Sequence, residues 1–148
     1  MKSGAISALM QPIVLLAVLS GSALAEAESS PLVGHWLSQD GSGVLSVSPC
    51  GSNLCVRIVG LQRGNAARDW RGQSQCGEQI SEVSERSPGI WEGRITDPRN
   101  GNVYDVRITS EGDDQLRLRG FVFVPLLGST QVWTRYTGHL SPDCWMLR

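Results

Sequence analysis

From Val33 onward the chain is built of short segments in which apolar and polar side chains alternate, separated by Gly, Pro, Asn and Asp. Tyr104, Val106 and Ile108 fall on one side of a segment whose Asp105 and Arg107 fall on the other, the two-residue period of a strand with one buried face. Leu116, Leu118, Val122 and Val124 likewise oppose Arg117, Arg119, Phe121 and Phe123, and Gly120 between them reads as a bend or bulge. The pattern predicts strands over residues 33–38, 43–48, 54–61, 90–96, 103–109, 115–124 and 130–136, with a doubtful eighth near 79–83. No stretch sustains a helical period. Asp97-Pro98-Arg99-Asn100-Gly101-Asn102 reads as a tight hairpin, since Asn100-Gly101 supplies two positions that tolerate positive φ. Its side-chain oxygens invite a calcium reading, but the EF-hand alternation and closing Glu are missing. Residues 62–87 are polar and hold Gly64, Gly72 and Gly77. A connection this long in a compact domain is either functional or pinned, and Cys76 offers the pin. Seven or eight short antiparallel strands make an all-β barrel or sandwich.

The first residues follow a different rule. Lys2 precedes an apolar run from Pro12 to Leu19, and small residues follow, ending Ala23-Leu24-Ala25. This is the layout of a cleavable signal peptide, and the run is shorter than the roughly 20 residues needed to span a bilayer. The expected organisation is a signal peptide over 1–25, a flexible leader over 26–32 and a β-barrel domain over 33–148. The product is expected to be periplasmic or secreted and not membrane-spanning after cleavage. Lys2 is the sole lysine; without it the chain carries about −2 and no basic run, which argues against nucleic acid as a partner.

Four cysteines, Cys50, Cys55, Cys76 and Cys144, all follow the signal. An even number in an oxidising compartment argues for disulfides. Three pairings are open. Cys50–Cys55 is preferred because Gly51-Ser52-Asn53 reads as a tight turn that sets the two cysteines opposite one another across an antiparallel pair, leaving Cys76 with Cys144. No Cys-x-x-Cys occurs, and neither His35 nor His139 has ligand spacing to a cysteine, so no metal or cofactor is expected.

Gly34-His35-Trp36 on the first strand resembles the Gly-x-Trp of lipocalin-like barrels. Trp133-Thr134-Arg135 on the last long strand offers a guanidinium to cover that indole, a contact that requires first and last strands to be neighbours, as in a closed barrel. Further motifs are Asp40-Gly41, Cys50-Gly51-Ser52-Asn53-Leu54-Cys55-Val56-Arg57-Ile58-Val59, Trp91-Glu92-Gly93-Arg94-Ile95, Gly101-Asn102-Val103-Tyr104 and Thr130-Gln131-Val132-Trp133-Thr134-Arg135. Together they resemble the bacterial secreted family catalogued as domain of unknown function 2147, over about 33–135. The resemblance implies an exported lipocalin-like barrel with no settled activity. Val56 stands where the family usually has Gly, and residues 65–71 replace its acidic, Asn-Pro-containing connection.

Catalysis needs a nucleophile, an acid/base pair or a metal with partners in reach. There is no Gly-x-Ser-x-Gly, His35 and His139 lie at opposite ends of the domain, and Asp113-Asp114 sit in an expected turn. The chain is therefore read as a non-enzymatic barrel binding a small hydrophobic or amphipathic ligand, with Trp36, Tyr104, Trp133 and Arg135 as candidate binding residues. The alternative is an envelope-associated interaction or structural module without a small-molecule ligand, using Phe121, Phe123 and Trp70 to hold a protein partner.

Overall fold

In the computed structural model, residues 30–65 and 67–147 are described; the expected signal peptide and the leader up to Ser29 lie outside them. Eight antiparallel strands run up and down in sequence order and close into a barrel. They are β1 (Gly34–Leu37), β2 (Gly43–Cys50), β3 (Asn53–Leu61), β4 (Gln79–Ser87), β5 (Ile90–Thr96), β6 (Val103–Glu111), β7 (Gln115–Phe121) and β8 (Ser129–Arg135). Alternation explains the core. Trp36, Val47, Leu54, Val56, Ile108 and Leu116 are buried inside, while polar neighbours one residue away face out.

Closure is carried by two residue pairs, Trp36 with Arg135 and Leu37 with Thr134. The Arg135 guanidinium lies 3.9 Å from the centroid of the Trp36 ring. It donates to the carbonyls of Val33 at 2.9 Å, Pro31 at 3.2 Å and Asp113 at 2.7 Å and 3.0 Å. The Trp36 indole N–H donates to the Leu32 carbonyl at 2.8 Å, and both side chains are fully buried. Gly34, at φ 138°, passes so close beneath the guanidinium that a β-carbon there would collide with it. The Gly-x-Trp motif and the distant Arg are thus one device that plugs this end of the barrel.

The structure moves several sequence-derived boundaries. The doubtful strand near 79–83 is a full nine-residue strand, its ends hidden in a polar sequence by Glu82, Glu85 and Arg86 on the solvent face. Conversely, the strand expected over 115–124 stops at Phe121. Phe123 adopts φ 70° and Pro125 removes a ladder donor. Nor is Gly120 a bend or bulge: it pairs in register with Val106 and Ser129.

Both disulfides have the preferred pairing. Cys50–Cys55, with Cα atoms 5.7 Å apart, staples the β2–β3 hairpin. Cys76–Cys144, at 5.8 Å, ties the 62–78 connection to the C-terminal segment. That segment covers the outside of β3 through the Leu61–Trp145 bridge, and Leu140 lies over Gly60. A 68-residue closure constrains the unfolded chain more than a five-residue one. Replacing Cys76 and Cys144 by Ala is expected to cost about 4 kcal/mol, and replacing Cys50 and Cys55 about 2 kcal/mol, by denaturant titration under oxidising conditions.

Candidate functional site

Up-and-down order sends alternate turns to opposite ends. The short turns at 51–52, 88–89 and 112–114 share the plugged end; the connections at 38–42, 62–78, 97–102 and 122–128 share the other. Between these four lies a cavity of about 780 Å3 that opens at their end. Leu45, Ile58, Val106, Leu118 and Trp133 form its apolar depth, with Ile80 and Ile95 on the wall. Gly120 also lines it, and a β-carbon there would meet nothing within 4 Å. Its missing side chain is cavity space.

The rim is polar. Asp40 accepts from the Ser42 hydroxyl at 2.7 Å, the Ser42 N–H at 3.0 Å and the Ser38 hydroxyl at 2.8 Å. These bonds, the Ser42 hydroxyl first, hold its carboxyl below the usual range against partial burial. Asp97 caps its own turn. It accepts from the Arg99 guanidinium at 2.9 Å and 3.0 Å and the Arg99 N–H at 2.9 Å, which likewise lower it against burial. Tyr104 stands between rim and depth, its hydroxyl 3.4 Å from the Asn102 amide. Deeper, the Trp133 indole N–H donates to Gln131 at 3.0 Å.

The 62–78 connection forms the remaining rim with Asn65 and Gln75. Its centre is Asp69, buried, accepting from the N–H groups of Arg71 and Gln73 and from the Arg71 guanidinium. Burial alone would raise its pKa, but those donors outweigh it and the net shift is downward. Glu78, on the far side of Arg71, is raised by burial and then by the Asp69 charge. Trp70 is outside the cavity lining; its indole covers Gly101 and its backbone N–H donates to the Pro98 carbonyl, fastening this connection to the neighbouring turn.

The four residues expected to bind ligand therefore divide. Tyr104 and Trp133 line the cavity, whereas Trp36 and Arg135 lie at the plugged end, outside that lining, with the Arg135 donors engaged by carbonyls. Phe121 borders the mouth and Phe123 projects into solvent. Sequence reasoning passed over Asp40, Gln75, Arg99 and Leu127. Each sits in a segment read as a connection, and only the common end of alternate turns would have brought them together. The Cys50 and Cys55 sulfurs lie near the Glu82 carboxylate, but the disulfide leaves no thiolate to ligate a metal.

Residues 34–135 match the profile of a family described as uncharacterized protein conserved in bacteria, DUF2147. The chain belongs to that family. The resemblance carried by Gly34-His35-Trp36 and the motifs after it is borne out over nearly the whole barrel of this DUF2147 chain. No curated protein matches it. Among solved structures it is similar to protein HP1028 from the human pathogen Helicobacter pylori, described as belonging to the lipocalin family. The TM-score is 0.63 at 15% identity, covering 72% of this chain and 83% of that one. At such identity the likeness establishes the fold, a lipocalin-like barrel. Among the described residues of the DUF2147 chain no helix is long and apolar enough to cross a membrane.

Two predictions follow from this geometry. Arg135→Ala leaves the carbonyls of Pro31, Val33 and Asp113 without their donor and uncovers Trp36; it should lower stability by about 3 kcal/mol in urea. Asp40, Asp69 and Asp97 bind protons less tightly folded than unfolded. Their contribution is therefore present above about pH 4 and is lost as pH falls through their folded values. Glu78, shifted the other way, contributes at low pH and loses that contribution as pH rises through its folded value. Asp97→Asn should cost about 1 kcal/mol at pH 7, and its melting temperature should converge on that of the wild type as pH falls through the lowered folded value of Asp97.

Proposed function

We propose that this protein is a non-enzymatic periplasmic or secreted barrel that holds one small amphipathic molecule, apolar part inward and polar part at the rim. The observation that carries the reading is the cavity itself. At about 780 Å3 it falls in the range of small-molecule sites, roughly 300–1,000 Å3. Its depth is aliphatic and aromatic, and its hydroxyls, amides and charges gather at the mouth. Such a gradient matches a ligand with a hydrocarbon body and a hydrogen-bonding head.

The rim chemistry favours holding over catalysis. Asp40 and Asp97 are kept ionised, with Oδ1 of Asp40 and both oxygens of Asp97 accepting from nearby donors, which makes them poor proton donors at neutral pH. Export belongs to the same reading. Residues 1–25 have the layout of a signal peptide, and two disulfides suit an oxidising compartment. The exposed apolar residues of the 122–128 connection would serve the other reading, a partner-binding module, and they stand at the same mouth.

Native mass spectrometry of protein recovered gently from its own periplasm tests the carrier reading, with an environment-sensitive fluorescent amphiphile as the binding probe. A small-molecule mass released on unfolding, and probe binding that Gly120→Phe weakens at least about tenfold without lowering the melting temperature, is the expected result. An empty wild-type protein that also ignores the probe would end the carrier reading.

A further inference from the structure

The connection between β7 and β8 is out of character with the rest of the surface. Phe123 is 90% exposed, Leu126 87% and Leu127 76%, with Val122 and Val124 half exposed beside them. A run of five apolar residues around one proline, in solvent, is unusual in a chain whose other turns are polar. The exposure is built in. The Arg119 guanidinium donates to the carbonyls of Pro125 at 2.7 Å and Leu126 at 3.1 Å and to the Thr130 hydroxyl at 2.7 Å, holding the loop from beneath. Phe123 takes φ 70°, a backbone conformation that residues with a β-carbon adopt only at a cost. Gly128 closes the loop against the Gly120 carbonyl where no side chain would fit.

Place in the fold supplies the second observation. Val122 and Leu127 line the cavity mouth, Phe123 projects into solvent beside them, and Leu126, also exposed, lies toward the outer wall near Arg107, Arg117 and Arg119. In the closed ring the β3–β4 connection stands across the mouth, four strands away from the β7–β8 connection, and it carries Trp70, 56% exposed. The side of the barrel through which a ligand must pass thus presents a phenylalanine-leucine tip and, opposite it, a tryptophan, the residue type that favours membrane–water boundaries.

We propose that the 122–127 tip docks the open mouth of the barrel on the surface of a phospholipid bilayer. The proposal deepens the carrier reading by naming where the ligand is collected or delivered, and it rests on that reading only for the direction of traffic. Shape argues against a second copy of the chain as the occupant. A convex tip of five side chains offers well under the roughly 800 Å2 per partner that a stable protein interface buries, whereas a bilayer accepts projecting apolar side chains one by one. Charge identifies the kind of attraction. The four connections at this end carry Asp40, Asp69, Glu78 and Asp97 against Arg63, Arg68, Arg71 and Arg99, and Arg119 under the tip adds one positive charge that is turned to the loop carbonyls, so the docking face carries little net charge. Insertion of apolar side chains, rather than attraction to anionic headgroups, holds it there.

The test is sedimentation of the exported, oxidised protein with sucrose-loaded vesicles, either phosphatidylethanolamine with phosphatidylglycerol or phosphatidylcholine alone. Half-binding is expected near about 1 mM lipid on both, changing less than about twofold between low and high salt. The double variant Phe123→Asp with Leu126→Asp should bind at least about tenfold more weakly at an unchanged melting temperature, and Trp70→Ala about threefold more weakly. Wild-type protein left in the supernatant at about 10 mM lipid, or a double variant that sediments as well as the wild type, overturns the proposal. So does a wild-type dimer in solution that the double variant dissociates, since the tip would then be a contact between copies. Because the amphiphile probe is measured without vesicles, loss of probe binding with vesicle binding intact removes the carrier reading and leaves the docking, and the reverse leaves a carrier that does not dock.

Discussion

One guanidinium holds the molecule closed. Arg135, on the last strand, lies 3.9 Å from the ring centroid of Trp36, on the first, and bonds to carbonyls of the entering segment and of the β6–β7 turn. The attraction of a cation for an indole face is modest where both are wet and larger where both are shielded. Here the indole is fully buried while the guanidinium, bonded to carbonyls of Pro31, Val33 and Asp113, stays partly exposed, so the contact falls between the two regimes. Gly34 is part of the same arrangement, because only a residue without a side chain leaves the guanidinium its path to the ring. Without this contact the seam would depend on two residue pairs.

Plugging one end decides what the other can be. Trp36, Leu32, Ile108 and Leu116 fill the interior below its midpoint, as dense packing demands. Above them the inward positions shrink or withdraw: Gly120 has no side chain, Ile95 and Tyr104 are only partly buried, and the space becomes cavity. The cavity in so small a barrel is a remainder, left where the side chains stop. The remainder is graded, because its floor is made of strand residues facing a core and its rim of turns facing water.

Most of the fold was legible in the pattern of the chain, since period-two alternation and Asn-Gly or Gly-rich turns are local signals. The Trp36–Arg135 contact was readable too, because Gly34-His35-Trp36 and Trp133-Thr134-Arg135 mark the two strands that a closed sheet must bring together. Strand β4 was nearly lost: its outward residues are charged and its inward ones include Ser81, so its buried face is thin in sequence. The site was half legible. Tyr104 and Trp133 sit on strands whose inward phase can be counted, whereas Asp40, Gln75, Arg99 and Leu127 lie on turns, where no period says which way a side chain points. Trp36 and Arg135 were recognised as partners, but which end of the barrel their contact fills depends on the direction in which β1 enters, and alternation does not encode that.

The seam has a further consequence. Among the described residues every ladder but one joins strands adjacent in sequence, so the fold closes a single long loop; Arg135 and Trp36 close it at the plugged end, and toward the mouth the Gln39 side chain accepts from the Val132 N–H of β8 at 2.8 Å. The entropic cost of lengthening a connection grows only slowly, by about 0.6 kcal/mol per doubling. The connections at 62–78, 97–102 and 122–128, which among the described residues make no bond across the seam, are therefore free to be lengthened, shortened or exchanged over evolutionary time without loosening what shuts the barrel, whereas 38–42 is held to it by Gln39. Two relatives with the same seam can differ in the shape and chemistry of their rims while folding in the same way.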